Sequence, residues 1–564
     1  MEPLGALTIR KLVERSVAAF GSRPALSMVD GPPITYAQLG EHVRTLAGVL
    51  ADRGVRPRDR VAILGESCPH WGLAYFAVTT MGAIAVPILP DFQATQVQHI
   101  LRHSGARALF VSDRHLAKVE EAELPDLETL LLLEDFSVLP PQTRRDGLAR
   151  LLEEGRREFA RLREAVRQRG QPPAAEPGET DVAAIIYTSG TTGNSKGVVL
   201  THRNLVANIV ATLKIQDINA EDRLLSVLPM SHTYECTVGF LLPMMQGACV
   251  YYLDKPPVAR VLLPAMEKVR PTIMLTVPLI MEKIFKTRVL PQFTRNPLLR
   301  GLYRLPAVRR RLHRIAVRKL LRTFGGELRF FGIGGALLSA EAEQFLRDGG
   351  FPYAVGYGLT ETSPLVAGCG AALTRFRSTG PAIPGVEVRI DSPNPQTGEG
   401  EIWVRGPNVM REYYKDPERT AEVLTPEGWF RTGDLGVLDR DGYLYIKGRL
   451  KNVIVGPSGE NIYPEEIEAA LNRFDCVLES VVYEQDGQLV ARVHPNYEVF
   501  DQEFASRRLT DAQLRAAIAD RLETVRRAAN AGLPPFCRVQ RLIEQPEEFE
   551  KTPTKKIKRY LYTS

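Results

Sequence analysis

The sequence predicts an α/β protein. It has a large N-terminal domain of parallel α/β subdomains with a β-rich subdomain, followed by a small α+β C-terminal domain. Three observations predict this. Before Val386, short apolar runs alternate with amphipathic helical stretches, the pattern of a parallel sheet covered by helices. From Val386 the texture changes to alternating strands separated by Gly-, Pro- and Asp-rich turns. Beyond Gly448-Arg-Leu-Lys451, strands and helices crowd into a compact terminal unit. At 564 residues the chain is too long for a single core, so two or more domains are expected.

In chain order, Ile9, Leu12, Val13, Val17 and Phe20 fall at helical spacing. Thr35 caps the next helix, and Gln38, three residues on, completes a capping box. Leu39, Val43, Leu46, Ala47 and Leu50 form that helix's apolar face, and Gly54 ends it. Arg60 to Leu64, Ala83 to Ile88 and Ala108 to Val111 read as strands, and Trp71 to Met81 as a helix. Asp146 to Arg169 is charged and helical in composition, and Gly170 to Gly178 is a Pro-rich linker. Val182 to Ile186, Leu224 to Leu228, Thr272 to Val277 and Leu328 to Gly332 read as buried strands. Val386 to Ile390, Gly400 to Arg405 and Gly442 to Ile446 are the strands of the β-rich part. Ser480 to Glu484, Gln488 to Val493, Pro464 to Asn472 and Asp511 to Ala529 build the terminal unit, with Pro464 in the first helical position.

The most informative stretch is Tyr187-Thr-Ser-Gly-Thr-Thr-Gly-Asn-Ser-Lys-Gly-Val-Val-Leu-Thr-His-Arg-Asn204. Glycines at 190, 193 and 197 let successive amide N–H groups turn into one concavity. The hydroxyls of Thr188, Ser189, Thr191 and Thr192 add donors, and Lys196 adds a mobile positive charge. Such a loop suits a polyphosphate. It is not the common P-loop, whose lysine directly follows glycine and precedes Ser or Thr.

Composition narrows the classes. A hydrophobic fraction of 44% suits a soluble globular enzyme. No apolar run reaches a membrane span, no secretory leader is expected at the N-terminus, and six scattered cysteines point to reduced thiols in the cytoplasm. No His/Cys cluster suggests zinc. The net charge of +6 is local: residues 283–326 hold thirteen Lys and Arg and no acid, so the remainder is net negative. Leucines, valines and isoleucines run between these arginines, so the segment is expected to form interrupted amphipathic helices suited to an anionic membrane surface. Its charge is poorly interleaved with aromatic residues, which argues against nucleic acid.

The loop resembles the phosphate loop of the adenylate-forming superfamily of acyl-CoA synthetases, peptide-synthetase adenylation domains and luciferases, with Ser195 in the place of the usual proline. Four more stretches resemble that superfamily in its order: Leu228-Pro-Met-Ser-His-Thr-Tyr-Glu235, Gly356-Tyr-Gly-Leu-Thr-Glu-Thr-Ser-Pro364, Trp429-Phe-Arg-Thr-Gly-Asp434, and Gly448 to Ile467. A terminal Lys551-Thr-Pro-Thr-Lys-Lys-Ile-Lys558 resembles its catalytic-lysine motif, with Lys555 where glycine is usual. The resemblance spans essentially the whole chain, and the long-chain acyl-CoA synthetases of bacteria are the most similar group.

The resemblance implies a set of roles. Ser189, Gly190, Thr191, Thr192, Gly193 and Lys196 would hold the phosphates of ATP, and Gly334, Gly335 and Ala336 would line adenine and the acyl chain. Within the second stretch, Tyr357 would stack on adenine, beside Gly358, and Thr360 would meet a phosphate oxygen. Glu361, helped by Thr188, would bind Mg²⁺. Asp434 would accept from the ribose hydroxyls, with Arg449 beside it. His232 would border the acyl tunnel and Lys556 would act at the α-phosphate. Lys451 would be a hinge between domains 1–448 and 449–564, making the C-terminal domain mobile. Ser458, Gly459 and Glu460 would meet the pantetheine arm of coenzyme A. The implied reaction joins a long-chain fatty acid to AMP and then to coenzyme A. A carrier protein as acceptor, or an aryl acid as substrate, is the alternative. A cytoplasmic monomer or homodimer is expected, touching the inner face of the membrane through 283–326.

Overall fold

The computed structural model describes residues 4–120, 122–143, 148–169, 176–188, 195–294, 296–456, 461–504, 510–552 and 557–563. Two large sheets carry the N-terminal part. One has eight strands, in the order Glu412–Tyr413, Lys196–Thr201, Val182–Thr188, Ile84–Ile88, Arg60–Leu64, Ala106–Val111, Thr129–Leu132 and Val138–Leu139. Its interior is parallel and its two ends turn antiparallel. The other has seven strands: Tyr353–Val355, Phe330–Ile333, Ile273–Thr276, Arg223–Leu225, Cys249–Tyr252, Pro24–Met28 and Ile34–Thr35. All its pairings are parallel except the last.

The helix Pro69–Thr80 explains how the two sheets share one core. It is apolar on every side, and ten of its twelve residues are buried. A single hydrophobic cluster joins it to Leu26, Val250 and Ile273 of one sheet and to Val61, Ile63, Ala184 and Ile186 of the other. The expected capping box is present: Thr35 Oγ1 accepts from Gln38, whose side chain in turn accepts from the Thr35 N–H. The helix ends before Gly54, which adopts φ +87°.

Boundaries differ from the sequence reading where turn chemistry intervenes. The strand expected over Leu224 to Leu228 stops at Leu225, because the chain turns into Pro229, which has no N–H to donate. The strand expected from Gly442 begins at Leu444, since Asp439 Oδ1 captures the N–H groups of Asp441 and Tyr443 in a turn. The helix expected from Trp71 begins at Pro69, whose fixed φ suits the first helical position.

The β-rich part is a four-stranded antiparallel sheet, Glu387–Asp391, Gly400–Arg405, Phe430–Leu438 and Leu444–Arg449. After it, Val477–Gln485, Gln488–Pro495 and Arg541–Glu544 form a three-stranded sheet. The helices Pro464–Leu471 and Asp511–Asn530 pack on it around a separate core that includes Ile467, Leu471, Val482, Val493, Ile518 and Leu522. The charged segment before the phosphate loop forms the helix Leu148–Arg169, tied to the helix Tyr36–Asp52 through an Arg53–Glu158 pair at 2.7 Å. The basic segment folds into the short helices Leu290–Thr294, Pro297–Tyr303 and Pro306–Thr323.

Candidate active site

The phosphate-loop strand and its lysine form a hairpin. Val182–Thr188 runs antiparallel to Lys196–Thr201, with Thr188 opposite Lys196. Ser189, Gly190, Thr191, Thr192 and Gly193 lie outside the described residues. The strand Lys196–Thr201 takes its second neighbour from far along the chain: Glu412 and Tyr413 pair with Val199 and Val198.

That edge pairing assembles a charged triad. Lys196 Nζ stands 2.8 Å from Glu361 Oε1 and 2.6 Å from the Tyr413 hydroxyl, which itself donates to Glu361 Oε1 at 2.9 Å. The ammonium lies over the Tyr413 ring, 4.3 Å from its centre. Burial works to raise the Glu361 carboxyl, but the Lys196 charge and these hydrogen bonds outweigh it and hold the group below the ordinary carboxylate range. The turn carrying Glu361, Thr360–Thr362, is fixed by two buried asparagines. Asn208 and Asn408 both donate to the carbonyls of Thr362 and Leu365. Thr360 opens this turn, half-buried. Gly358 precedes it where a Cβ would meet the Pro364 carbonyl at 2.0 Å, so no larger residue fits. Sequence reasoning missed Tyr413, Asn208 and Asn408.

A second cluster lies beside the first. Asp434 and Arg449 face each other across adjacent strands, and Arg449 Nε meets Asp434 Oδ1 at 2.7 Å. Tyr357 donates to Asp434 Oδ2 at 2.7 Å. Both oxygens of the carboxylate are thereby aimed. Burial lowers the proton affinity of Arg449, but Asp434, Tyr357 and Glu361 outweigh it, so the two clusters share one field.

The run Gly332 to Ala336 leaves the C-terminal end of the strand Phe330–Ile333. Gly335 adopts φ +90°, a conformation that favours glycine, and Gly335 and Ala336 are exposed. A Cβ at Gly334 would meet the Tyr234 ring at 3.1 Å, so that ring closes against the run. His232 is half-buried two residues earlier, its Nδ1 accepting from the Tyr234 N–H at 3.3 Å. Lys451 is exposed in the turn Leu450–Asn452, between the β-rich sheet and the terminal unit. Ser458, Gly459, Glu460 and Lys556 lie outside the described residues.

The donor set suits a magnesium-bound polyphosphate. Lys196 and Tyr413 both bond Oε1 of Glu361, and the buried Thr188 hydroxyl has no hydrogen-bond partner among the described residues. One carboxylate and one hydroxyl, completed by phosphate oxygens, match the hard oxygen ligands that Mg²⁺ takes. Among the described residues no helix is long and apolar enough to cross a membrane.

The comparisons fit this geometry. The family model described as AMP-binding enzyme matches residues 13–414. A ligase of Rhodococcus jostii (strain RHA1) for 3-[(3aS,4S,7aS)-7a-methyl-1,5-dioxo-octahydro-1H-inden-4-yl]propanoyl:CoA is 31% identical over 84% of this chain and 85% of its own. The long-chain-fatty-acid–CoA ligase FadD15 of Mycobacterium bovis (strain ATCC BAA-935 / AF2122/97) is 30% identical over 81% of this chain and 76% of its own. The fold matches the solved anthranilate CoA ligase AuaEII with a TM-score of 0.76 at 20% identity, over 99% of this chain and 97% of that one. With its family model covering most of the length, and with Lys196, Glu361, Tyr357, Asp434 and Arg449 drawn together by the fold, the chain belongs to the AMP-binding enzyme family.

Proposed function

We propose that this protein is an acid–thiol ligase. It activates a long-chain fatty acid with ATP as the acyl-adenylate, then passes the acyl group to coenzyme A, releasing AMP and pyrophosphate. The observation that carries this is the meeting of Lys196 with Glu361, beside the Tyr357–Asp434–Arg449 cluster. The curated relatives named as long-chain-fatty-acid–CoA ligases, including the human ligase 1 at 28% identity over 93% of this chain, support the choice of acid and acceptor.

A carboxylate oxygen of the acid attacks the α-phosphorus and pyrophosphate departs. Lys196 neutralises charge growing on the leaving phosphates, and Lys556 does so at the α-phosphate. Glu361 and Thr188 would hold Mg²⁺, which supplies further charge neutralisation when bound. Asp434 orients the nucleotide through its ribose hydroxyls while Tyr357 and Arg449 fix its carboxylate. In this reading Gly334, Gly335 and Ala336 form the wall of the nucleotide and acyl site, and His232 borders the acyl tunnel. The thiol attack then needs the pantetheine loop at Ser458, Gly459 and Glu460. Domain 449–564 therefore turns about Lys451 between the half-reactions.

Asp434→Ala is expected to raise the KM for ATP roughly 10- to 100-fold, with a smaller fall in kcat, because two charge-assisted ribose contacts of about 1.5 kcal/mol or more are lost. Steady-state kinetics with varied ATP reads this directly. Equal KM with a collapsed kcat would remove Asp434 from the ribose.

Residues 283–326 are proposed to rest on an anionic bilayer and admit the acid from it. Leu298, Leu302, Leu305 and Ile315 are exposed among exposed arginines. Arg309 and Arg310 lie 3.8 Å from Asp348, whereas Arg311, Arg314 and Arg318 are exposed further along the same helix. Each basic residue at such a surface is worth about 1 kcal/mol. Changing those three to Glu is expected to weaken sedimentation with phosphatidylglycerol vesicles on the order of a hundredfold or more. Unchanged sedimentation would remove the membrane from the account.

A further inference from the structure

One buried polar group has no part in the mechanism above. Glu235 is 2% exposed and opens a π-helix, Glu235–Leu241, whose other residues are mostly apolar. π-Turns are rare and frequently mark functional sites. Its carboxyl folds over Gly239, where a Cβ would meet Cδ at 2.6 Å. Ser226 donates to Oε1 at 2.6 Å, and Oε2 has no partner among the described residues. Burial pushes this carboxyl up to about 8, with the Ser226 hydrogen bond working the other way, so at neutral pH it carries a proton to donate.

The orphan is not isolated. Ser231 Oγ, Thr233 Oγ1 and Thr237 Oγ1, on the same short stretch, are buried and equally unpartnered among the described residues. So is the Tyr252 hydroxyl, whose loss of a proton an ionised Glu235 would oppose, so the two groups are neighbours. Native interiors leave few such groups, because each costs about 1–3 kcal/mol unless something fills it. The place is also telling. Ser226 follows the C-terminal end of the strand Arg223–Leu225, and open α/β sheets bind ligands beyond that edge. Tyr234, the neighbour of Glu235, is the ring that closes on Gly334.

We propose that Glu235, with the Tyr252 hydroxyl, forms a polar subsite that hydrogen-bonds a keto or hydroxyl oxygen carried by the acid substrate away from its reacting carboxylate. This deepens the acid-activating reading and rests on it. Glu235 acts here as a specificity residue: it selects an oxygenated chain over a plain one and takes no part in the transfer. No bond is made or broken at the subsite. The acid's oxygen accepts from Oε2–H, and a hydroxyl substituent can also donate to the Tyr252 oxygen.

The test compares acid pairs of equal chain length, with and without one mid-chain keto or hydroxyl group, as pyrophosphate exchange by the full-length enzyme. The wild type is expected to favour the oxygenated acid at least tenfold in kcat/KM. Glu235→Leu and the milder Tyr252→Phe are each expected to shrink that ratio, the first at least tenfold, with the plain acid's kcat/KM unchanged or raised. Glu235→Gln, which keeps two N–H donors and the shape, is expected to retain the preference. If both acids change equally in Tyr252→Phe and in Glu235→Leu, the orphans serve a buried water network and the subsite is overturned. A wild type that exchanges pyrophosphate with plain acids and prefers neither member of a pair overturns the subsite alone. A wild type that exchanges with no acid overturns the acid-activating reading beneath it.

Discussion

Glu361→Gln is expected to slow adenylate formation by on the order of 10²- to 10³-fold, the usual effect of removing one electrostatic contact from a preorganised site. Glutamine keeps the size and one acceptor oxygen but loses the charge. Lys196 then loses the negative charge at 2.8 Å that aims its amine, and a single neutral amide oxygen is left to accept from both Lys196 and the Tyr413 hydroxyl. The loss should appear in kcat at saturating ATP and Mg²⁺, and raising Mg²⁺ should recover part of it, because a neutral ligand binds the cation more weakly. Activity that ignores both the substitution and Mg²⁺ concentration would contradict the role.

The same substitution has a signature in stability. The folded Glu361 carboxyl titrates below its ordinary value of 4.5. The stabilisation it contributes is therefore present above that value and is lost as pH falls through the lower, folded one. Thermal melts of wild type and Glu361→Gln should differ most above the ordinary carboxylate value of 4.5 and converge as the pH falls well below it. A gap that widens on acidification would mean that the carboxyl is not held ionised by Lys196.

Lys556→Ala is expected to abolish adenylate formation, by about 10²-fold or more, and to spare thioester formation from supplied acyl-AMP. The two half-reactions place opposite demands on the terminal unit. In the proposed mechanism the first would need Lys556 at the α-phosphate, and the second would need the loop at residues 458–460 near the thiol. A unit with its own core, joined through the exposed turn Leu450–Asn452, suits such a turn between two poses. Lys555→Ala serves as the neighbouring control and should leave both steps nearly intact. Equal loss of both half-reactions in Lys556→Ala, or adenylation lost in Lys555→Ala instead, would reassign the lysine.

Local chemistry made some of the molecule legible in the sequence. The strand Val182–Thr188 follows from an uninterrupted apolar run, and the Thr35–Gln38 capping box from two side chains three residues apart. Motif order pointed to Lys196, Glu361, Asp434 and Arg449, and the fold draws them together. What joins them was not legible. Tyr413 stands 217 residues from Lys196, and their contact depends on edge pairing between two strands that no local pattern announces. Asn208 and Asn408 matter because they bind the same two carbonyls from opposite directions along the chain. The role read for the Tyr357 ring gave no hint that its hydroxyl would hold Asp434. Glu235 sits at the head of an apolar run, where periodicity treats a carboxylate as an interruption and cannot tell that it is buried.

Acid-dependent exchange of labelled pyrophosphate into ATP measures the central claim most directly, since it needs only the first half-reaction and no thiol acceptor. The wild-type chain is expected to exchange in the presence of long-chain fatty acids and Mg²⁺, and Glu361→Gln and Lys556→Ala to lose nearly all of that exchange. Exchange that proceeds without any carboxylic acid, or that no acid across a broad panel provokes, would contradict it.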